Sequence, residues 1–199
     1  SKELAFKEII EKLRILKEDL TLTELIDKVA TITKNEEKIA YLTFDDGPSK
    51  RVTPEILDIL EEYNIKASFF VIGSKAKENP EILKREYEEG HFIGNHTYTH
   101  NNGKIYRSKE TFLEELEETD KTIEEILEIE NFKCKIFRFP NGSVSKAYAY
   151  EKKLCFGYLE EIGYKYVDWN ALNNAPNFVS ISCFVYPTFS NAFIIISIS

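Results

Sequence analysis

An α/β fold with a mostly parallel sheet or barrel is what this sequence predicts, on three observations. Between Ile39 and Val167, short apolar runs rich in strand formers alternate with longer segments of helical periodicity. Such alternation is the signature of strands paired in parallel through crossover helices. Several of the runs end at turn formers, as at Asp45-Asp46-Gly47, Gly73 and Pro140-Asn141-Gly142. The residues best able to do chemistry sit just beyond those runs, at the carboxyl ends of strands where such folds carry their sites.

The elements follow in order. Residues 1–34 read as helical, with Phe6, Ile9, Leu13, Leu16 and Leu20 forming an apolar seam and Thr21-x-x-Glu24 forming a capping box, which together describe a stalk or packing helix. Ile39 to Phe44 is a short strand. Thr53-Pro54 opens a helix carrying Ile56, Leu57, Leu60 and Tyr63 on one face. Ala67 to Ile72 is a buried-type strand, and residues 79–89 are a helix begun by Asn79-Pro80 and stopped at Gly90. His91 to Gly94 is a brief strand and Ser108 to Glu128 a long helix with Phe112, Leu116, Ile123 and Leu127. Residues 135–139 form a strand, 145–161 a helix and Tyr164 to Val167 a strand. Residues 175–199 hold no Asp, Glu, Lys or Arg, which is abnormal for a domain of this composition. Val179 to Val185 and Phe193 to Ile198 are nevertheless strand-like.

At 199 residues, 43% hydrophobic and 30% charged, the chain is long enough to bury one full core. A net charge of -8 with scattered Lys and Arg excludes a nucleic-acid backbone as the expected partner. Cys134, Cys155 and Cys183 are too few and too irregular for a disulfide framework or a zinc cluster. No run approaches the roughly 18 apolar residues of a membrane span, and no secretory segment is visible.

Three features carry chemistry. Asp45 and Asp46 are adjacent carboxylates in a turn, where one can serve a metal and the other a water, although Asp-Asp-Gly alone is more often a plain turn. His96 and His100 are two of only three histidines. On a helical turn, four residues apart, they share a face and reach one ion. With a carboxylate they make a ligand set for zinc and similar divalent cations, while the bland alternative is two surface histidines. Arg138, before Pro140-Asn141-Gly142, can pair with a carboxylate, and that turn can aim an N–H at a developing oxyanion.

Taken together and in order, these segments resemble the polysaccharide deacetylases of carbohydrate esterase family four. Thr43-Phe44-Asp45-Asp46-Gly47-Pro48 matches that family's first motif and Gly94-Asn95-His96-Thr97-Tyr98-Thr99-His100 its second. Arg138 to Gly142 is similar to the third and Asp168-Trp169 to the fourth. The match covers roughly residues 36–174. It implies a distorted (β/α) barrel in residues 35–174, incomplete at its C-terminal side, with residues 1–34 as a helical stalk or linker and 175–199 as an atypical tail.

The resemblance also implies roles. Asp46, His96 and His100 would hold a divalent metal, usually zinc. Asp45 would be the general base, oriented by Arg138, which Asp168 would brace. Pro140, Asn141 and Gly142 would meet the substrate, with the Asn141 N–H on the oxyanion, and Trp169 would line the acetyl pocket. The expected reaction is metal-dependent removal of N-acetyl groups from peptidoglycan or a chitin-like polymer, outside the cell or at its surface. The family's fifth motif supplies a histidine as general acid, and this sequence has none after His100. Loss of such an acid lowers rates about 10²- to 10⁴-fold. A glycan-binding descendant without turnover and an O-acetyl xylan esterase are therefore the alternative expectations.

Overall fold

The computed structural model describes residues 39–168 and the strand segments 171–172, 182–183 and 193–198. The expected helical stalk and Trp169 lie outside the described residues. The chain divides into two compact units: Ser1–Asp45 with Arg51–Ser68 and Trp169–Ser199, and Asp46–Lys50 with Phe69–Asp168.

In the first unit, strand β1 (Ile39–Gly47) contributes its residues up to Asp45. Leu42, Thr43, Phe44 and Asp45 are buried in succession, as in a strand of a parallel sheet covered on both faces. Helix α1 (Val52–Glu62) has Pro54 in its first turn, where a missing N–H costs nothing, and buries Thr53, Ile56, Leu57 and Leu60 as one stripe. Strand β1 pairs in parallel with β8 (Phe193–Ile198), from Ile39 opposite Phe193 to Phe44 opposite Ile198. The short strands β6 (Ala171–Leu172) and β7 (Ser182–Cys183) pair antiparallel.

The second unit holds β2 (Ser68–Val71, from Phe69 on), β3 (Phe92–Asn95), β4 (Ile136–Phe137) and β5 (Lys165–Tyr166) in the order β5-β4-β3-β2. The β3–β4 and β4–β5 pairs are parallel. Between the strands run α2 (Gly73–Glu78), α3 (Pro80–Glu88), α4 (Asn102–Ile105), α5 (Lys109–Leu127) and α6 (Ala149–Glu161). Helix α5 starts with a Ser108–Thr111 capping box and ends at Glu128, which takes the left-handed conformation with φ 56°. Rings of Phe112, Phe137, Phe139 and Phe156 fill the core in edge-to-face contacts, with Phe137 and Phe139 only 4.8 Å apart. Cys134 and Cys155 are buried free thiols, in keeping with their expected role as small apolar residues.

Several boundaries differ from the sequence expectation. The first strand runs on through Asp45 and Asp46 to Gly47 rather than ending in a turn at Phe44. The reason is pairing: Ile72 donates its N–H to Gly47 O, which holds the segment extended past the strand-forming residues. Helices α2 and α4 were not expected, because six and four residues carry no readable periodicity. The 135–139 strand shortens to Ile136–Phe137, and the 145–161 helix begins only at Ala149. Among the described residues no helix is long and apolar enough to cross a membrane.

Candidate metal centre and the loops around it

Four backbone hydrogen bonds step across the carboxyl ends of the second unit's strands. Ile72 donates to Gly47 O, His96 to Val71 O, Arg138 to Asn95 O and Val167 to Phe137 O, each at 3.0 Å. Asp46, His96, Arg138 and Asp168 each lie at or beside one of these bonds. Strand pairing therefore brings four segments that are distant in sequence to one rim.

At that rim, single donor atoms of Asp46, His96 and His100 lie within 4.8 Å of one another. Asp46 Oδ1 is 3.3 Å from His96 Nε2 and 3.2 Å from His100 Nε2. Oδ1 is buried and, among the described residues, meets these two nitrogens as close ion-pair contacts outside strict hydrogen-bonding geometry. His96 is 2% exposed, and its Nδ1 meets Arg138 O at 2.8 Å. A carbonyl only accepts, so Nδ1 carries a proton, and Nε2 is the nitrogen that faces Asp46. Burial alone would raise the Asp46 carboxyl. The His96 imidazole, and behind it the charges of His100 and Lys75, outweigh burial and hold the group down at about 2. Two neutral-capable imidazoles and an ionised carboxylate fit a divalent cation such as zinc.

The histidines do not reach this centre as a helical turn would bring them. Residues 96–100 form an irregular turn with φ 70° at Thr97 and φ 55° at His100, both left-handed. Convergence of residues four apart is the sequence expectation, and it holds by a different backbone route. The route is set by side chains: Asn95 Oδ1 accepts the Thr97 N–H at 2.9 Å and Thr97 Oγ1 accepts the His100 N–H at 3.1 Å. Asp46 is left-handed too, at φ 64°, and Lys75 Nζ donates to its carbonyl at 2.8 Å.

The third-motif loop lies beside this centre in the same unit. Arg138 is fully buried, with its guanidinium 3.9 Å over the Phe70 ring. Gly142 donates to Phe139 O at 2.8 Å, and Asn141 and Gly142 are left-handed at φ 61° and 76°. Asn141 is exposed, Pro140 and Gly142 are buried. Asp168 accepts the Ser143 N–H at 2.9 Å and the Ser143 hydroxyl, while Arg138 Nε donates to Val167 O at 3.4 Å. Between Asp168 and Arg138 the described link therefore runs through Val167's backbone. Asp45 is buried in β1, immediately before Asp46.

Three charged side chains outside the motifs complete the picture. Besides Lys75, Lys152 on α6 donates to Pro140 O (3.3 Å), Gly142 O (2.6 Å) and Ser145 Oγ (2.6 Å). Burial depresses its pKa. Glu115 on α5 bonds the turn between the two histidines. A sequence signal exists for the last two. Glu115 lies on the stripe of Phe112, Leu116, Thr119 and Ile123, and Lys152 on that of Cys155 and Leu159. A charge on a buried stripe needs a partner inside. Lys75 has no such signal.

Residues 33–166 match the family model described as polysaccharide deacetylase. A peptidoglycan-N-acetylglucosamine deacetylase of Bacillus cereus is 44% identical over 109 residues, which is 55% of this chain and 38% of that protein. The peptidoglycan-N-acetylglucosamine deacetylase PgdA of Listeria monocytogenes is 38% identical over 137 residues, 69% of this chain and 26% of that protein. This chain thus spans well under half the length of either relative. In structure it is similar to the polysaccharide deacetylase Bc1974 of Bacillus cereus, with a TM-score of 0.56 and 38% identity over 67% of this chain and 60% of that one. The likeness extends the α/β class to the (β/α) barrel type expected from the sequence.

Proposed function

Because the chain belongs to the polysaccharide deacetylase family, we propose that it hydrolyses the N-acetyl groups of an N-acetylglucosamine polymer, using a divalent metal held by Asp46, His96 and His100. The observation that carries the proposal is the convergence of three donor atoms, one from each of Asp46, His96 and His100, within 4.8 Å of one another. When bound there, zinc or a similar cation supplies a Lewis acid for the amide carbonyl and lowers the pKa of the attacking water.

The chain's own residues do the remainder. Asp45, next to Asp46, is the proposed general base that accepts the water's proton and, with no histidine after His100 to act as acid, returns it to the leaving amine. Arg138 holds the His96 ring through its carbonyl. The 140–142 turn offers the Asn141 N–H to the developing oxyanion, and Lys152 keeps that turn from relaxing. Peptidoglycan is the proposed polymer, on the names of the relatives above, and such a substrate entails work at the cell surface.

The test is acetate release from N-acetylglucosamine oligomers and from peptidoglycan, with and without added zinc. Release should require metal and vanish in His96→Ala and in Asp45→Asn, the latter with metal still bound. Zinc binding without release would instead favour a glycan-binding descendant, and release from acetylated xylan alone would favour the esterase.

A further inference from the structure

The turn that carries the two histidines has every backbone N–H accounted for. His96 donates to Val71 O, Thr97 to Asn95 Oδ1 and His100 to Thr97 Oγ1. The other two, Tyr98 and Thr99, both donate to Glu115 Oε2, at 3.0 and 2.7 Å. Glu115 lies 16 residues beyond Thr99, on α5, and is fully buried. Its Oε1 accepts the Thr99 hydroxyl at 2.9 Å, and Lys104 Nζ approaches the same oxygen at 2.8 Å. Among the described residues, every hydrogen bond of this carboxylate goes to the segment that begins between the histidines and ends at Lys104. None goes to the packing of α5 itself.

We propose that Glu115 is a positioning residue for the metal centre, a role that rests on the metal-binding function proposed above. Left-handed backbone at Thr97 and His100 turns the Tyr98 and Thr99 N–H groups inward, toward α5. Turned that way, those donors need an acceptor, and the buried Glu115 carboxylate supplies it. With the carboxylate in place, the turn keeps His96 Nε2 and His100 Nε2 aimed at Asp46 before any ion arrives. Without it, the turn relaxes toward ordinary backbone angles and His100, the more exposed ligand, leaves the centre. Glu115 would then set metal affinity while touching neither metal nor substrate.

The experiment is zinc titration of the full chain against a competing chelator, alongside thermal melts of the chelator-treated protein. The proteins are wild type, His96→Ala, Glu115→Gln, Thr99→Val and Thr99→Ser. Glu115→Gln should bind zinc about 10- to 100-fold more weakly, the usual cost of losing an outer partner of a ligand. Thr99→Val should lose about fivefold, the worth of one ordinary hydrogen bond, and Thr99→Ser should restore it. A purely structural Glu115 would lower the melting temperature and leave the zinc affinity of the folded variants unchanged, which overturns the proposal. Should Glu115→Gln fail to fold, unchanged affinity in Thr99→Val overturns it by itself. No zinc binding by wild type, or full binding by His96→Ala, removes the metal function and the Glu115 role with it.

Discussion

Single residues in this chain repay attention where chemistry and burial conflict. Glu86 on α3 is fully buried, and among the described residues neither carboxylate oxygen has a hydrogen-bond partner. Burial pushes its pKa well above the ordinary carboxylate range. The sign of the linkage follows. The folded state keeps the proton while the unfolded chain gives it up, so stability is full at acid pH and falls as pH rises above the ordinary glutamate value. Glu86→Gln keeps the shape and cannot ionise. In urea unfolding between pH 4 and pH 8, the variant should gain on wild type by about 1.4 kcal/mol per pH unit until the folded-state pKa is passed. Parallel stability curves at every pH would show that Glu86 ionises in the folded protein at no cost.

At the scale of elements, the site depends on loops that helices hold from outside. Lys75 from α2 bonds the Asp46 carbonyl, Glu115 from α5 the 98–99 amides and Lys152 from α6 the 140–142 carbonyls. Strand β3 shows the same dependence through a glycine. A Cβ on Gly94 would meet Cδ1 and Cε1 of Phe70 at 2.5 and 2.6 Å, and the Phe70 ring lies under the Arg138 guanidinium. Gly94→Ala in a strand would otherwise stabilise by about 0.4–1 kcal/mol through the unfolded state. The clash should reverse the sign and cost about 1–3 kcal/mol as overpacking, read as a lower melting temperature. A higher melting temperature would mean that Phe70 can move aside freely.

At the scale of the whole molecule, metal and fold stability are linked. An ion that binds the assembled centre and not the unfolded chain must stabilise the protein, by about 2.7 kcal/mol at a hundredfold excess over Kd. Zinc should therefore raise the melting temperature of wild type and a chelator should return it, with no shift in His96→Ala. A wild type that melts identically with and without zinc would disconnect the three-residue cluster from any ion. The same cluster shows how much of the site is legible in the chain. Asp46, His96 and His100 stand out because carboxylate pairs before glycine and histidines four apart are rare combinations, and the structure brings them together. Glu115 and Lys152 are marked by no motif, only by their place on apolar helical stripes, and Lys75 by neither.

What the sequence determined by itself is the alternation of strands and helices, the order of the motif segments and the identity of the three converging donors. The alternation follows from periodicity and caps, the two histidines from ligand chemistry, and Asp46 over Asp45 from the motif resemblance. Tertiary structure decided what local rules cannot reach. It carried β1 through Asp46 to Gly47 by pairing, and it brought His96 and His100 together through left-handed backbone rather than a helical turn. It also chose which buried charges serve the loops. These outcomes depend on hydrogen bonds between residues 10 to 42 positions apart, joined in the histidine turn by side-chain bonds within it. Their energies exist only once the sheet has assembled.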